Sequence, residues 1–200
     1  MSGQATDRRE RPGQGELFIL SGPAGVGKGT VVAALQAKYP SLWVSVSATT
    51  RAPRPGEVDG KHYLFTDDAE FDDLIAHDGL LEWATVHRKA RYGTPRAPVQ
   101  AAMAEGHNVL LEIDPQGARQ VRRTMPQAHS IFLMPPSWEE LVRRLTARGT
   151  EDQEAVQRRL QTARSELAHF DDFDHVVVNV DIDTTVEELA EILGLRGGVG

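Results

Sequence analysis

An α/β fold, in which a parallel sheet lies between two layers of helices, is predicted by three features of this chain. Short apolar runs at Leu17–Leu20, Val109–Ile113, Ile131–Met134 and Val176–Val178 alternate with helical patterns, the signature of parallel strands buried on both faces. A glycine-rich segment joins the first run directly to the first helix. The length, 200 residues, suffices for one well-filled core, so a single folding unit with insertions is expected.

Composition narrows the chemistry. Twenty-two basic residues against twenty-nine acidic ones give a net charge of −7, which argues against a general nucleic-acid or membrane-surface binder. Any phosphate site must therefore be built locally. The absence of cysteine excludes disulfide frameworks, thiolate metal sites and cysteine nucleophiles, and fits a reducing compartment, so the cytoplasm is expected. The amino-terminal stretch is polar and no apolar run approaches the ~20 residues of a membrane span, so neither a secretory signal nor a transmembrane helix is expected. The seven histidines lack metal-ligand spacing.

The elements follow in order. Residues 1–15 and 196–200 are aperiodic and read as tails outside the fold. A core domain comprises 16–46, 95–143 and 164–195, with Val44–Val46 as a fifth strand. Residues 47–94 interrupt the alternation with strand-like His62–Phe65 and Leu80–His87 and a short helix around Phe71, Leu74 and Ile75, and read as an inserted domain. Thr94-Pro95 opens the next helix, with proline at the first helical position. Ser137 and Glu140 form a capping box ahead of the stripe Trp138, Leu141, Val142 and Leu145; Thr184 and Glu187 do the same ahead of Val186, Leu189, Ala190 and Leu193. Between these helices, Val156, Leu160, Ala163, Leu167 and Phe170 make another stripe, and Gly149–Gln153 suits a lid within a lid region at 144–163. Trp43, Trp83 and Trp138 read as packing residues and Asp171-Asp172 as a solvated turn.

The chemistry begins at Gly22-Pro23-Ala24-Gly25-Val26-Gly27-Lys28-Gly29-Thr30. Glycines at these spacings let backbone N–H groups turn around an anion, the following helix adds the positive end of its dipole, and Lys28 supplies a mobile charge. The segment reads as the phosphate loop of a P-loop NTPase, with a nucleoside triphosphate and Mg2+ as its expected ligands. Gly29 stands where Ser or Thr normally offers a hydroxyl to the metal, which leaves Thr30 to act through water; no protein metal ligand is assigned. Glu112 and Asp114 end an apolar strand and alternate in direction from Ile113, so both carboxylates fall near the sheet's C-terminal edge, where α/β proteins bind ligands; two roles stay open for them, orienting arginines or orienting metal-bound water. Arg144 and Arg148 are one helical turn apart at the border of their apolar stripe. Arg159 borders the next stripe, whereas Arg158 lies nearly opposite it and reads as solvated.

Three further stretches sharpen this reading: Ser45-Val46-Ser47-Ala48-Thr49-Thr50-Arg51-Ala52-Pro53-Arg54-Pro55-Gly56-Glu57, Tyr92-Gly93-Thr94, and Glu112-Ile113-Asp114-Pro115-Gln116-Gly117. With the phosphate loop ahead and Arg148-Gly149-Thr150-Glu151 behind, the chain closely resembles the guanylate kinases from about Leu17 to Leu193. The resemblance implies a three-layer core with an inserted GMP-binding domain and a lid, and ATP-dependent phosphorylation of GMP (and dGMP) to GDP. It implies donor catalysis by Lys28, Arg144, Arg148 and Arg159, with Asn179 near the adenine. It implies GMP binding by Ser47, Arg51, Arg54, Glu57, Tyr63, Glu82, Tyr92, Thr94, Glu112 and Asp114. Their chemistry suits that substrate, since arginine forks grip a dianionic phosphate and an ionised Glu82 accepts from both guanine N1–H and the 2-amino group. Such a site can reject adenine by on the order of 10⁴. The chain departs from the family at Gly29, at Val180, and at His87-Arg88-Lys89-Ala90-Arg91, which is one residue longer than usual. Lys28-Gly29-Thr30 resembles the loop of adenylate kinases more than that of most guanylate kinases.

Overall fold

The structure is a computed structural model that describes residues 13–86, 90–146 and 153–195. In chain order the elements are β1 (Leu17–Ser21), α1 (Lys28–Lys38), β2 (Trp43–Val44), β3 (Ala48–Thr49), β4 (Leu64–Phe65), α2 (Asp68–Ala76), β5 (Leu80–Val86), β6 (Ala90–Pro95), α3 (Arg96–Ala104), β7 (Val109–Glu112), α4 (Pro115–Thr124), β8 (His129–Met134), α5 (Trp138–Thr146), α6 (Gln153–Leu167), β9 (His175–Val178) and α7 (Ile182–Ile192). Residues 1–12 and 196–200 of the expected tails, His87-Arg88-Lys89, Arg148 and positions 149–152 of the expected lid lie outside the described residues.

Five strands form a sheet in the order β2-β7-β1-β8-β9, every pairing parallel. In β1 the side chains alternate between two cores. Phe18 and Leu20 pack with Val31 and Leu35 of α1 and with Val186 and Leu189 of α7. Leu17 and Ile19 pack with Val99 and Met103 of α3 and with Ala118 and Val121 of α4. Burial on both faces explains why these strands are continuous apolar runs. The sheet's central strand thus ends, at Ser21, directly beneath the phosphate loop.

A second sheet, β4-β3-β6-β5, is mixed: β6 runs antiparallel to β3 and β5, and β3 parallel to β4. Its core is small, with Ala48, Phe71 and Leu80 at the centre and Leu64, Leu74 and Ile75 around them. Arg91 binds Asp68 and Asp72, and its guanidinium lies 4.7 Å from the Phe71 ring centroid, which ties β6 to α2. The sheet meets the larger core through β5. Leu81 enters the α3/α4 core, and the Gln120 side chain brackets the Trp83 backbone, accepting its N–H at 3.1 Å and donating to its carbonyl at 2.9 Å.

Several local expectations are corrected. Pro95 ends β6 and is the N-cap of α3, with ψ 129°, so the helix begins one residue later. Thr184 does not cap α7: Asp181 does, accepting the Thr184 N–H at 2.9 Å, and Glu187 is occupied by Lys38 of α1 and by Tyr39, the C-cap of that helix. Ser137 accepts the Glu140 N–H at 3.1 Å, but Glu140 turns its carboxylate to Arg143 and Arg144. The reciprocal capping box is at Asp67 and Glu70 of α2. Trp83 is 39 % exposed and so is not a core residue, β2 occupies Trp43–Val44, and the stripe position Phe170 is 36 % exposed. No helix among the described residues is long and apolar enough to cross a membrane.

Burying a leucine side chain fully contributes about 1.5–3 kcal/mol, and truncation adds the cost of the cavity left behind. Leu20 is fully buried in β1. Leu20→Ala is expected to destabilise the fold by about 2–5 kcal/mol, read as a lower urea midpoint at unchanged slope.

Candidate active site

The phosphate loop runs from Gly22 to Thr30 between β1 and α1. Gly27 is the N-cap of α1 at φ 101°, and it caps the helix without a side chain. The N–H groups of the first turn therefore lack a side-chain cap and are left to a ligand at the positive end of the helix dipole. The left-handed φ favours glycine, and an added Cβ would stand 2.9 Å from Asn179 Nδ2.

The loop is fastened from several directions. The Val26 carbonyl accepts Asn179 Nδ2 at 2.8 Å and Arg144 Nη1 at 3.0 Å. Asn179 is itself held by the Thr185 hydroxyl, which donates to its Oδ1 at 3.1 Å. The Ala24 N–H donates to Glu166 Oε2 at 3.0 Å. Lys28 folds back on the loop and donates through Nζ to the Gly22 carbonyl at 2.6 Å and the Pro23 carbonyl at 3.3 Å. Burial pushes the Lys28 pKa down, while the nearby charges of Glu112, Glu166 and Asp114 oppose the shift. Burial also raises the Glu112 and Glu166 pKa values.

In front of the loop lies a cavity of about 650 Å³, lined by Lys28, Thr30, Glu112, Arg144, Arg159 and Asn179 among others. That volume is in the range of ligand sites. Arg144 is held in place by Glu140, at 2.8 Å. Arg159 donates to the Leu145 carbonyl at 3.2 Å, whereas Arg158 pairs with exposed Glu154. Helical phase, which separates the two arginines in the sequence, thus matches where they lie.

On the smaller sheet a second cluster gathers Arg51, Glu57, Tyr63 and Tyr92. Arg51 meets Glu57 as a fork, Nη1 and Nη2 each 2.9 Å from a carboxylate oxygen, and donates through Nε to the Tyr92 hydroxyl at 3.1 Å. Its guanidinium lies 5.2 Å from the Tyr63 ring centroid. Glu57 also accepts the Arg54 N–H at 2.7 Å, and the Arg51 fork holds its pKa down to about 2. The Arg54 side chain is exposed. Glu57 thus fixes the position of the Arg51 guanidinium.

Glu82 and Thr94 form a third group. Glu82 on β5 is 7 % exposed, and its Oε1 accepts the Thr94 hydroxyl at 2.7 Å. Its pKa rises to about 7, mainly through burial, with Asp114 adding and the Thr94 hydrogen bond opposing. The carboxylate rests on the start of α4, where a Cβ on Gly117 would come within 2.8 Å of Oε2. Asp114 caps that helix by accepting the Gly117 N–H at 2.7 Å. Ser47 precedes β3 and accepts the Leu64 N–H through its carbonyl.

Of the two carboxylates around the β7–α4 turn, Glu112, assigned from sequence to the GMP set, lines the donor cavity, while the charge of Asp114 acts on both Lys28 and Glu82. Glu166 escaped the sequence reading. Its position seven residues after Arg159, on the same helical face, was the available signal.

Known proteins resemble this chain along nearly its whole length. The family model described as guanylate kinase matches residues 14–195. A guanylate kinase of Leifsonia xyli subsp. xyli is 57 % identical over 192 residues, covering 95 % of this chain and 76 % of the relative. That of Thermobifida fusca is 56 % identical, with 96 % and 95 % covered. The crystal structure of guanylate kinase from Anaplasma phagocytophilum superposes with a TM-score of 0.73 at 36 % identity, covering 93 % of this chain and 88 % of that one. A phosphate loop on a parallel sheet, a mixed sheet beside it and this similarity along nearly the whole length lead to one conclusion: the chain belongs to the guanylate kinase family, whose members are nucleoside monophosphate kinases.

Proposed function

We propose that this chain transfers the γ-phosphoryl group of ATP to the phosphate of GMP, releasing ADP and GDP, and that dGMP also serves as acceptor. The observation that carries the acceptor choice is Glu82. It is a buried carboxylate between Thr94 and Gly117, on the same sheet as the Arg51, Tyr63 and Tyr92 cluster. Arg51 and Arg54, with the tyrosine hydroxyls, would take the phosphate; Glu82, with Ser47 and Thr94, would take the guanine. These contacts address phosphate and base, so the ribose 2′-hydroxyl is not required.

An ionised acceptor phosphate needs no general base, and transfer is in line, with no covalent enzyme intermediate. Lys28 leaves the Gly22 and Pro23 carbonyls for the donor phosphates, while Arg144, Arg159 and Arg148, the last outside the described residues, offset the charge that spreads over the transferred group. The 47–94 insertion and the 144–163 lid would close over both nucleotides and exclude water. A cysteine-free chain acting on free nucleotides fits the cytoplasm.

Mg2+ fits the donor cavity. Glu112 and Thr30 supply hard oxygen donors there, and a Cβ on Gly29 would lie 3.6 Å from Glu112 Oε1, so that carboxylate stands beside the place of the missing hydroxyl. Among the described residues no three His, Asp or Glu side chains converge to hold an ion, so phosphate and water would supply most ligands, as Mg2+ prefers. Glu112 and Thr30 are the residues that would hold it, and Mg2+ there would supply positive charge to offset that of the donor phosphates.

Three outcomes test this reading. In a coupled assay across GMP, AMP, UMP and CMP, GMP is expected to be strongly preferred, and Glu82→Gln should lower kcat/KM for GMP by about 10²-fold or more while leaving ATP affinity unchanged; preference for AMP would end the guanine assignment. Because the Glu82 carboxyl titrates at about 7 and only its ionised form accepts both guanine donors, KM for GMP should rise roughly tenfold as pH falls from 8 to 6, and this dependence should flatten in Glu82→Gln. Glu57→Ala should release Arg51 and raise KM for GMP roughly tenfold, with KM for ATP unmoved, in steady-state titrations of each nucleotide.

A further inference from the structure

We propose that Glu166 is a positioning residue for the donor nucleotide, holding the phosphate loop in its binding shape from the helix that also carries Arg159. The inference rests on the donor role proposed above for that loop.

A single peptide unit is held at both ends. The Ala24 N–H donates to Glu166 Oε2 at 3.0 Å. The carbonyl of the same peptide, that of Pro23, accepts from Lys28 Nζ at 3.3 Å and from the Val26 N–H at 3.3 Å. Glu166 therefore grips one end of this peptide plane while the loop's own lysine and backbone grip the other. Without the carboxylate, a partly buried N–H loses its acceptor and the plane is held at its carbonyl end alone, and a loop that binds anions through oriented amides loses part of its preorganisation.

Placement adds a second consequence. Glu166 follows Arg159 by seven residues, so the two point from one face of α6, about 10 Å apart along its axis. Apolar packing closes the same joint: Ala24 is packed against the cluster of Leu141, Leu145 and Ala163, with Leu160 and Leu167 beside it. A displacement of α6 therefore reaches the loop and the cavity-lining arginine together. Glu112 and Asp114 also act on Lys28, but the Glu166 carboxylate is the one bonded to the loop backbone at Ala24.

The experiment is calorimetric titration of full-length Glu166→Ala and Glu166→Gln with MgATP and, separately, with GMP. Glu166→Ala is expected to weaken MgATP at least tenfold, which is about 1.4 kcal/mol, while GMP affinity stays within twofold. Glu166→Gln, whose amide oxygen still accepts the Ala24 N–H, is expected to stay within about threefold of the parent protein for both ligands. An alanine variant that binds MgATP normally, or one that weakens both nucleotides equally, overturns the proposal. So does a glutamine variant as impaired as alanine. If Glu166→Ala does not fold, Glu166→Asp makes the same test, since it keeps the charge but draws the acceptor back by one methylene; normal MgATP affinity there is equally fatal. Failure of the parent protein to bind MgATP would instead refute the donor role of the loop itself.

Discussion

A loop that captures anions with its backbone must hold its shape before any ligand arrives, and the surroundings of Gly22–Thr30 meet that demand. β1 delivers the loop from the middle of a sheet buried on both faces, and α1 receives it at a Gly27 cap that uses no side chain. Asn179 and Arg144 hold the Val26 carbonyl from two different elements, and Glu166 holds the Ala24 amide from a third. Each anchor comes from more than 100 residues away in sequence, so the loop's shape is a property of the whole core. Lys28, turned back on its own loop, is stored within reach of the place where it is needed.

The acceptor half follows a different plan. Its core is small, and its functional groups are side chains held by other side chains: Arg51 by Glu57 and Tyr92, Glu82 by Thr94. A modest core with polar cross-links offers few apolar contacts to resist the closure proposed for this unit. The β7–α4 turn joins the halves. Glu112 faces the donor cavity, and two residues later Asp114 caps the helix on which Glu82 rests.

Much of this was legible in sequence because it is local or periodic. The loop is contiguous, the buried strands are continuous apolar runs, and the contrast between Arg158 and Arg159 follows from helical phase. What escaped depends on partners distant in the chain. β6 reads Ala-Arg-Tyr-Gly-Thr-Pro, a run without alternation that pairs only because β3 and β5 flank it. Thr184 and Glu187 have capping-box spacing, but Lys38 claims Glu187 and leaves the cap to Asp181. Glu57 sits among GMP-binding residues in the motif, yet its carboxylate is spent on Arg51, a role that emerges only when the loop is folded. Glu166 looks like any helix-surface glutamate until Ala24 is placed beside it.

The burial of Glu82 carries one more consequence. Burial lifts the carboxyl to about 7, so under the proposed acceptor reading, which needs the ionised form, recognition of the base would require a hydrogen held there to leave. Guanine capture would then be an exchange, a nucleobase in and a fraction of a proton out to the buffer, and the heat of association would depend on which buffer receives it.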